Sequence, residues 1–512
     1  MKTPILGATY VARSVNAADA RMVNLFPEVI PEGGKEPAFL QRCPGMTLLS
    51  TVGNGPVRGL WAFSSNDGLG FVVSGVELYK INNAYAPTLI GTVAGTGPVS
   101  MADNGTQLFI AANGPSYIYN ATTNAFGQIT DPDFPGAVTV CYLDGYFVFN
   151  EPNSQKMWVT TLLDGTSIDP LEFASTEGSP DGLLAVVSNF REVWAFGTNS
   201  IEVWYDSGAT DFPLQRIQGA FNELGLAAPY SIAKMDNGLF WLGRDRRGQG
   251  IVYRANGYQG QRISTHAVEW HIQQYTDMSD AIAYTYQQDG HSFYVLIFPT
   301  ANTTWVYDAA TQAWHERAGF VEGKFTRHRS NCQMAFNNEI VVGDFENGNI
   351  YAFDLDVYAD NGEIQKWLRT WRALPTNQNN LKRTAHHSLQ LDCETGVGLN
   401  GFVANETIYL QTEADQYLIT ESSDYLIADQ EAIATQGADP QVMLRWSDDG
   451  GHTWSNEHWS PLGRIGAYGH RTFWRRLGMT LKLRDRVYEL SMTDPVKIAI
   501  MGAELLLSPT NA

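Results

Sequence analysis

The chain has 512 residues, of which 17% are charged and 12% aromatic; 48 are glycine, and the formal net charge is −20. That length calls for two or three domains rather than one core, and the composition excludes disorder and fibrous repeats in favour of short strands and tight turns. The acid excess excludes general binding to phosphate backbones, which needs clustered Lys and Arg, though it suits a surface past which DNA must slide.

Residues 1–50 show no convincing period. Pro27, Pro31, Pro37 and Pro44, with Gly33 and Gly34, force extended chain rather than helix. This stretch reads as an arm laid over another surface. The opening MKTPILGATYVARS has an apolar run too short and interrupted for a signal segment. No window approaches the ~20 apolar residues of a membrane helix, so a soluble protein assembled where it is made is expected.

From about residue 57 a unit recurs: a β-rich run, a turn, then a second run carrying Tyr or Trp. The pairs are GFVVSG/VELYKI, LFIAANG/YIYN, YFVFN/MWVTT, VWAFGTNS/IEVWYD, LFWLGR/IVYR, FYVLIF/WVYD and IVVGDF/IYAFD. They begin roughly 37 to 54 residues apart, the spacing of propeller blades. Asp144-Gly145, Thr198-Asn199, Asp289-Gly290 and Asn347-Gly348 are expected to supply positive φ at hairpin turns. Radial repetition accommodates this many strands without long exposed edges. An all-β chain is therefore expected, with a six- or seven-bladed β-propeller over 51–362; the competing arrangement is an array of two-sheet sandwiches.

After Asp360-Asn361-Gly362 the texture changes. Residues 363–388 read as a crossing segment, and LQLDCETGVGL as a strand ending in glycines. An acidic insertion follows at 401–439, strand character resumes at QVMLRWSDDGGHTWS, and residues 485–507 read as two alternating strands. Residues 363–512 are thus expected to form a separate, sandwich-like β-domain with few helices. The four cysteines, Cys43, Cys141, Cys332 and Cys393, lie far apart with no C-x-x-C pair, which points to free thiols.

Within RWSDDGGHTW lies Ser-x-Asp-x-Gly-x-Thr-Trp, an Asp-box: Ser447, Asp449, Gly451, Thr453 and Trp454. Such boxes are familiar from sialidases. Physically, the pattern folds a hairpin: Asp449 accepts from backbone N–H groups, and the glycines permit left-handed φ. A glycosidase needs two carboxylates facing each other across a pocket, and no spacing here singles out such a pair. G-x-S-x-G, H-E-x-x-H and P-loop patterns are absent. His386-His387 are adjacent, so on extended chain they point opposite ways and do not share a metal. The expectation is no enzyme, no cofactor and no metal.

Near the end, GRIGAYGHRTFWRRLGMTLKLRDRVYEL carries Arg464, Arg471, Arg475, Arg476, Arg484 and Arg486 among aromatics. Three readings are open: a strip for nucleic acid, a subunit interface pairing Arg with a neighbour's carboxylates, or solvated strand faces. Overall acidity favours the interface.

The run RWSDDGGHTWSNEHW…GRIGAYGHRTFWRRLG…RDRVYELSMTDPVKIAIMGAEL resembles the end of the packaged DNA stabilisation, tail hub or nozzle proteins of short-tailed bacteriophages. RMVNLFPE, LQRCPGM and GPVRGLW resemble that family's opening, and LQLDCETGVG resembles its segment before the last domain. The resemblance frames nearly the whole chain; the middle matches in texture, and the insertion at 401–439 looks peculiar to this protein. It implies a six-fold ring on a propeller scaffold beneath an adaptor ring under the portal. Such a ring prolongs the DNA exit channel, helps retain the genome, and presents surfaces for fibres, spikes or a needle. The implied location is the virion tail, assembled in the host bacterial cytoplasm; the other readings are a sialidase-like glycosidase or a non-catalytic glycan-binding propeller.

Overall fold

The computed structural model describes residues 1–14, 18–66, 68–176, 178–209, 212–375, 383–399, 408–409, 427–429, 436–481 and 485–509. It divides into two compact units. One comprises Gly7–Pro27 and Cys43–Gln365; the other comprises Met1–Leu6, Glu28–Arg42 and Lys366–Ala512.

Seven successive antiparallel sheets make up most of the first unit. Each of the seven hairpins read from the sequence forms the middle of one sheet, flanked by an inner and an outer strand. In the first sheet, Gly70–Ser74 and Glu77–Ile81 lie between Val57–Ala62 and Pro87–Thr92. Both faces of the middle strands are covered, so Gly70–Ser74 is buried throughout and reads as a continuous apolar run.

Between each sheet and the next lies an apolar cluster. Phe71 and Tyr119 belong to the first, Phe109 and Phe149 to the second, Val148 and Trp204 to the third, Phe196 and Trp241 to the fourth. Phe240 and Tyr294 follow, then Val295 and Tyr351. The seventh cluster joins Met334, Val341 and Ile350 of the last sheet to Val57, Leu60 and Val72 of the first, closing the circuit.

Closure uses chain that the sequence reading assigned to an arm. Gly45–Thr51 is the outer strand of the last sheet, pairing antiparallel with Asn349–Asp354 (Met46 opposite Phe353). Proline spacing conceals this, because Pro44 stands just before the strand, where no ladder N–H is needed. The rest of the first fifty residues is split. Residues 7–27 belong with the seven sheets, and residues 1–6 and 28–42 with the other unit.

Turn chemistry follows expectation at two of the four sites named. Asp144 (φ 44°) with Gly145 (φ 104°), and Asp289 (φ 48°) with Gly290 (φ 80°), are left-handed. Thr198-Asn199 and Asn347-Gly348 have no positive φ. There, side chains organise the turn: Asp181 accepts from the Asn199 N–H (2.5 Å) and the Ser200 hydroxyl (3.0 Å), and Asn347 accepts from the Asn349 N–H (2.9 Å). One α-helix, His266–Gln273, interrupts the β texture, N-capped by Thr265 accepting from Val268 N–H.

The second unit is a sandwich built on two runs of four paired strands. One runs Ala38–Arg42, Ala499–Pro509, Thr384–Cys393, Phe473–Met479; the other runs Trp367–Arg372, Val487–Met492, Gln441–Ser447, His458–Pro461. The proposed crossing segment 363–388 therefore contains two strands outright, Glu363–Ile364 and Trp367–Arg372, and the start of a third. Trp367–Arg372 looks polar because it carries two arginines, yet Arg369 is buried and donates to the carbonyl of Ile5 (2.7 Å). Trp371 donates to the Thr3 hydroxyl (3.0 Å), and Arg42 to the carbonyls of Asp494 and Val496 (2.7 and 2.9 Å). Most of the acidic insertion 401–439 lies outside the described residues. None of the four cysteines forms a disulfide.

Candidate functional site: a propeller channel and an arginine-bearing sandwich face

Two places could carry function. The first is a cavity of about 550 Å³ lined by the innermost strands of all seven sheets, from Arg58–Trp61 round to Asn331–Gln333. Its charged groups are spoken for. Arg58 is buried and donates to the carbonyls of Gly97 (2.6 Å), Gly75 (2.9 Å), Ala94 (3.1 Å) and Val93 (3.2 Å). Asp103, the one carboxylate among the described lining residues, accepts from the Trp61 indole (2.7 Å) and from Ser64. Burial pushes the Cys141 thiol up to about 12, so it is no nucleophile at neutral pH. Burial likewise lowers the Lys234 ammonium, which donates to the Ser188 hydroxyl (3.3 Å). Nothing here pairs a nucleophile with a base or sets two carboxylates across a gap. Among the described residues, no group of three or more His, Cys, Asp or Glu is placed to hold a metal ion.

The second place is the sandwich, where the Asp-box and the arginine run lie. Ser447 ends a strand and is buried; its hydroxyl donates to Asp449 Oδ1 (2.6 Å) and accepts from the Gly451 N–H (2.8 Å). Asp449 Oδ1 also accepts from the N–H groups of His452 (3.0 Å) and Thr453 (2.8 Å), while Oδ2 takes the Thr453 hydroxyl. The Ser447 and Thr453 hydroxyls first, then the backbone N–H groups, hold this carboxyl well below the usual carboxylate range. Gly450 (φ 76°) and Gly451 (φ 99°) make the turn, and Trp454 lies beneath the Arg445 guanidinium at 5.0 Å. Every polar atom of the box is used to shape the hairpin. A general-acid carboxyl needs the opposite environment, one that keeps a proton near neutral pH.

The expected arginine strip is divided. Arg486 is not on a surface: it is buried, grips both oxygens of Asp448 (2.7 and 2.9 Å), and donates to the carbonyls of Leu477 (2.6 Å) and Met479 (3.1 Å). It stands just before the strand Val487–Met492 and points inward, where its charge is met by a carboxylate and backbone. Arg484 lies outside the described residues. Arg464, Arg471, Arg475 and Arg476 are exposed, on the strand Phe473–Met479 and the loop before it. Arg464 reaches only a 3.8 Å contact with Asp439, and Arg475 stacks on Phe473 at 4.4 Å. His386 and His387 point opposite ways, as extended chain requires: His386 is buried against the Tyr488 hydroxyl (2.6 Å) and His387 meets Ser508 (2.8 Å).

Family comparison bears on both units in order. The family model described as Bacteriophage P22 Gp10, beta-propeller, matches residues 1–358, and the one described as Bacteriophage P22 Gp10, beta-sandwich, matches 414–507. The chain belongs to the P22 Gp10 family. A curated relative, the tail hub protein gp10 of Salmonella phage P22, is 24% identical over 287 residues, covering 53% of this chain. The match spans 59% of that relative's length. Solved structures similar to the chain include virginiamycin B lyase from Staphylococcus aureus (12% identity, TM-score 0.38, covering 64% of this chain and 98% of that one). The N-terminal domain of Nup159 is 10% identical, with TM-score 0.38 and the same coverages.

No helix among the described residues is long and apolar enough to cross a membrane. The sequence reading missed the buried ties Arg42, Arg58, Arg369 and Arg486. For the first three, the one sequence signal is arginine at an inward position of a strand, which charge alone disguises as a surface residue.

Proposed function

We propose that this chain is a structural tail hub protein of a short-tailed bacteriophage, located in the virion tail and assembled in the host bacterial cytoplasm. The observation that carries the reading is the pair of Gp10 family matches, propeller then sandwich, with a relative named tail hub protein. In this reading the seven sheets are seven blades, and copies form a homo-hexameric ring beneath the adaptor, prolonging the DNA exit channel. Fibres, spikes or a needle dock on it, and double-stranded DNA passes through the assembly without being held. Net charge −20 supports that last point, since a like-charged wall repels phosphate at long range.

The role is non-enzymatic. Support comes from the Asp-box, whose carboxylate is committed to its own turn, and from Asp103, which is committed to Trp61 and Ser64. Electron microscopy of the full-length recombinant chain and of particles tests the proposal. Rings, and the chain in the tail of particles, are expected. A monomer at every concentration that is absent from particles, or release of sugar from sialosides lost on changing one carboxylate, would overturn it.

A further inference from the structure

Two exposed faces, one on each unit, carry features that nothing within a single copy explains. On the propeller, the third and fourth sheets present Leu163 (61% exposed), Leu171 (81%) and Phe190 (70%). Leu163 (φ 61°) and Phe190 (φ 53°) are held in the left-handed region. That conformation is strained for a bulky side chain and is kept where something else requires it. The two belong to one neighbourhood. Leu163 N–H donates to the Gly145 carbonyl (2.8 Å), Arg191 next to Phe190 pairs with Asp144 (3.0 Å), and a depression is lined by Asp144, Phe190, Tyr205 and Asp206. Asp169, Glu172 and Asp206 lie alongside without an ion-pair partner among the described residues. Burial first, then the Asp206 and Glu172 carboxylates, raise the pKa of Tyr146, and burial first, then Asp169, raises that of Glu172. The sequence from 131 to 223 holds fourteen Asp and Glu against three Lys and Arg.

The sandwich face is its converse. Arg471, Arg475 and Arg476 are exposed and have no carboxylate partner among the described residues, whereas Arg21, Arg262, Arg329 and Arg445 in the same acid-rich chain are all paired. A register shift opposite His386 and Ser388 sits where Arg476 (φ 60°) and Gly478 (φ 76°) are left-handed, a bulge that re-aims the arginines. Ser388 lies between Arg475 and Leu506 across three strands, and Leu506 (60% exposed), Met479 (53%) and Tyr468 (77%) supply apolar area. Arginine mixed with methionine, leucine and tyrosine is the composition of a protein interface, not of a track for phosphates.

We propose that the Leu163–Phe190 face of one copy's propeller docks on the Arg475–Arg476 face of a second copy's sandwich. Opposite charge and exposed apolar area on both faces make the second copy the fitting partner. Two different patches meet, so the contact is heterologous: each copy uses one face forward and the other behind, and repetition closes a ring or runs on as a filament. The inference rests on the reading of the chain as an assembling hub, and names the surfaces through which it assembles.

The experiment uses the full chain, with analytical ultracentrifugation across a concentration series. Arg471→Glu/Arg475→Glu/Arg476→Glu and Asp169→Lys/Glu172→Lys/Asp206→Lys are each expected to weaken assembly at least tenfold, with the thermal midpoint of the monomer unchanged. Combining both sets in one chain is expected to restore at least half of the loss, because the charges meet again with signs exchanged. Phe190→Gly guards against misfolding: glycine relieves the left-handed φ, so stability is kept or raised while assembly weakens. Wild-type assembly by either single set, no recovery in the combination, or undiminished assembly of Phe190→Gly overturns the pairing. So does loss of binding to a short DNA duplex by the arginine set with assembly untouched, which makes that face a phosphate surface. Should the variants assemble normally while particles still carry the chain in their tails, the hub role stands and this pairing falls.

Discussion

The propeller unit holds 34 Asp and Glu against 17 Lys and Arg, whereas the sandwich unit holds 20 against 17. They are also stitched differently. Each propeller sheet is built mainly from strands that follow one another in sequence, the exceptions being the closing strand Gly45–Thr51 and Met22–Val23, which pairs with Ala313–Glu316, and its stability is spread over seven apolar clusters between neighbours. The sandwich gathers strands from three distant pieces of chain and ties them with buried arginines. Of the four fully buried arginines, Arg42, Arg369 and Arg486 are in the sandwich and Arg317 is in the propeller. Local pairing tolerates a large charge excess, because its stability rests chiefly on the apolar clusters between neighbouring sheets. A fold closed by distant segments relies on a few charged ties, and so has single points of failure.

The largest expected effect follows from that contrast. Arg486→Met strands Asp448 and the carbonyls of Leu477 and Met479, at a cost of about 3–5 kcal/mol. In a urea titration read by hydrogen exchange, sandwich peptides should lose protection at lower denaturant while propeller peptides hold. Equal loss in both units would break the comparison.

Acid sharpens it, because each unit buries a histidine held neutral but satisfied differently. Burial, chiefly, pushes both His315 and His386 down to about 3. Each stays neutral in the folded state until about pH 3, while the unfolded chain takes up the proton near 6.5. Their contribution is therefore intact above about pH 6.5 and is lost progressively as pH falls towards 3. His315, in the propeller, has no hydrogen-bond partner on either ring nitrogen among the described residues and lies against Phe26 and Phe293. His315→Phe should stabilise by about 1 kcal/mol at pH 7, since a buried unpaired polar group is removed, and by more at pH 5. His386, in the sandwich, bonds Tyr488 and Thr384 (2.6 and 3.0 Å), so His386→Phe should cost about 1–3 kcal/mol at pH 7 and less at pH 5. Thermal midpoints at the two pH values check both signs. A destabilised His315→Phe would refute the account.

The same contrast decides what was legible in the sequence. The seven hairpins announce themselves because a strand, its turn and its partner are contiguous, so apolar alternation and residues such as Asp289-Gly290 share one short window. Gly45–Thr51 was illegible as a strand: its partner Asn349–Asp354 stands about three hundred residues away, and no local pattern encodes that pairing. Trp367–Arg372 reads as part of a crossing segment because the polar stretch TNQNNLKRTAHHS follows it, and nothing local shows that Arg369 satisfies a backbone carbonyl inside. Of the arginine strip, charge and spacing located the exposed members, Arg464, Arg471, Arg475 and Arg476. Nothing local separates them from Arg486, because what draws that side chain inward is Asp448, on a strand-end loop 38 residues earlier.

The Asp-box gives the smallest effect and the cleanest reading of what a motif is for. Asp449→Ala removes the acceptor for the His452 and Thr453 N–H groups and for the Ser447 and Thr453 hydroxyls. The residue is half-buried at the surface, so water replaces many of these bonds and the expected cost is about 1 kcal/mol. Asp449→Asn keeps one carbonyl acceptor and should cost less. With its folded-state pKa held below the ordinary 3.8, the carboxylate contributes at neutral pH and loses that contribution only as pH falls below about 4. Amide exchange at His452 and Thr453 should therefore quicken in both variants at pH 7, more in Asp449→Ala, while assembly stays as in the wild type. A box that serves its own turn predicts local fraying and nothing further; lost assembly with unchanged exchange would show that the carboxylate faces a partner instead.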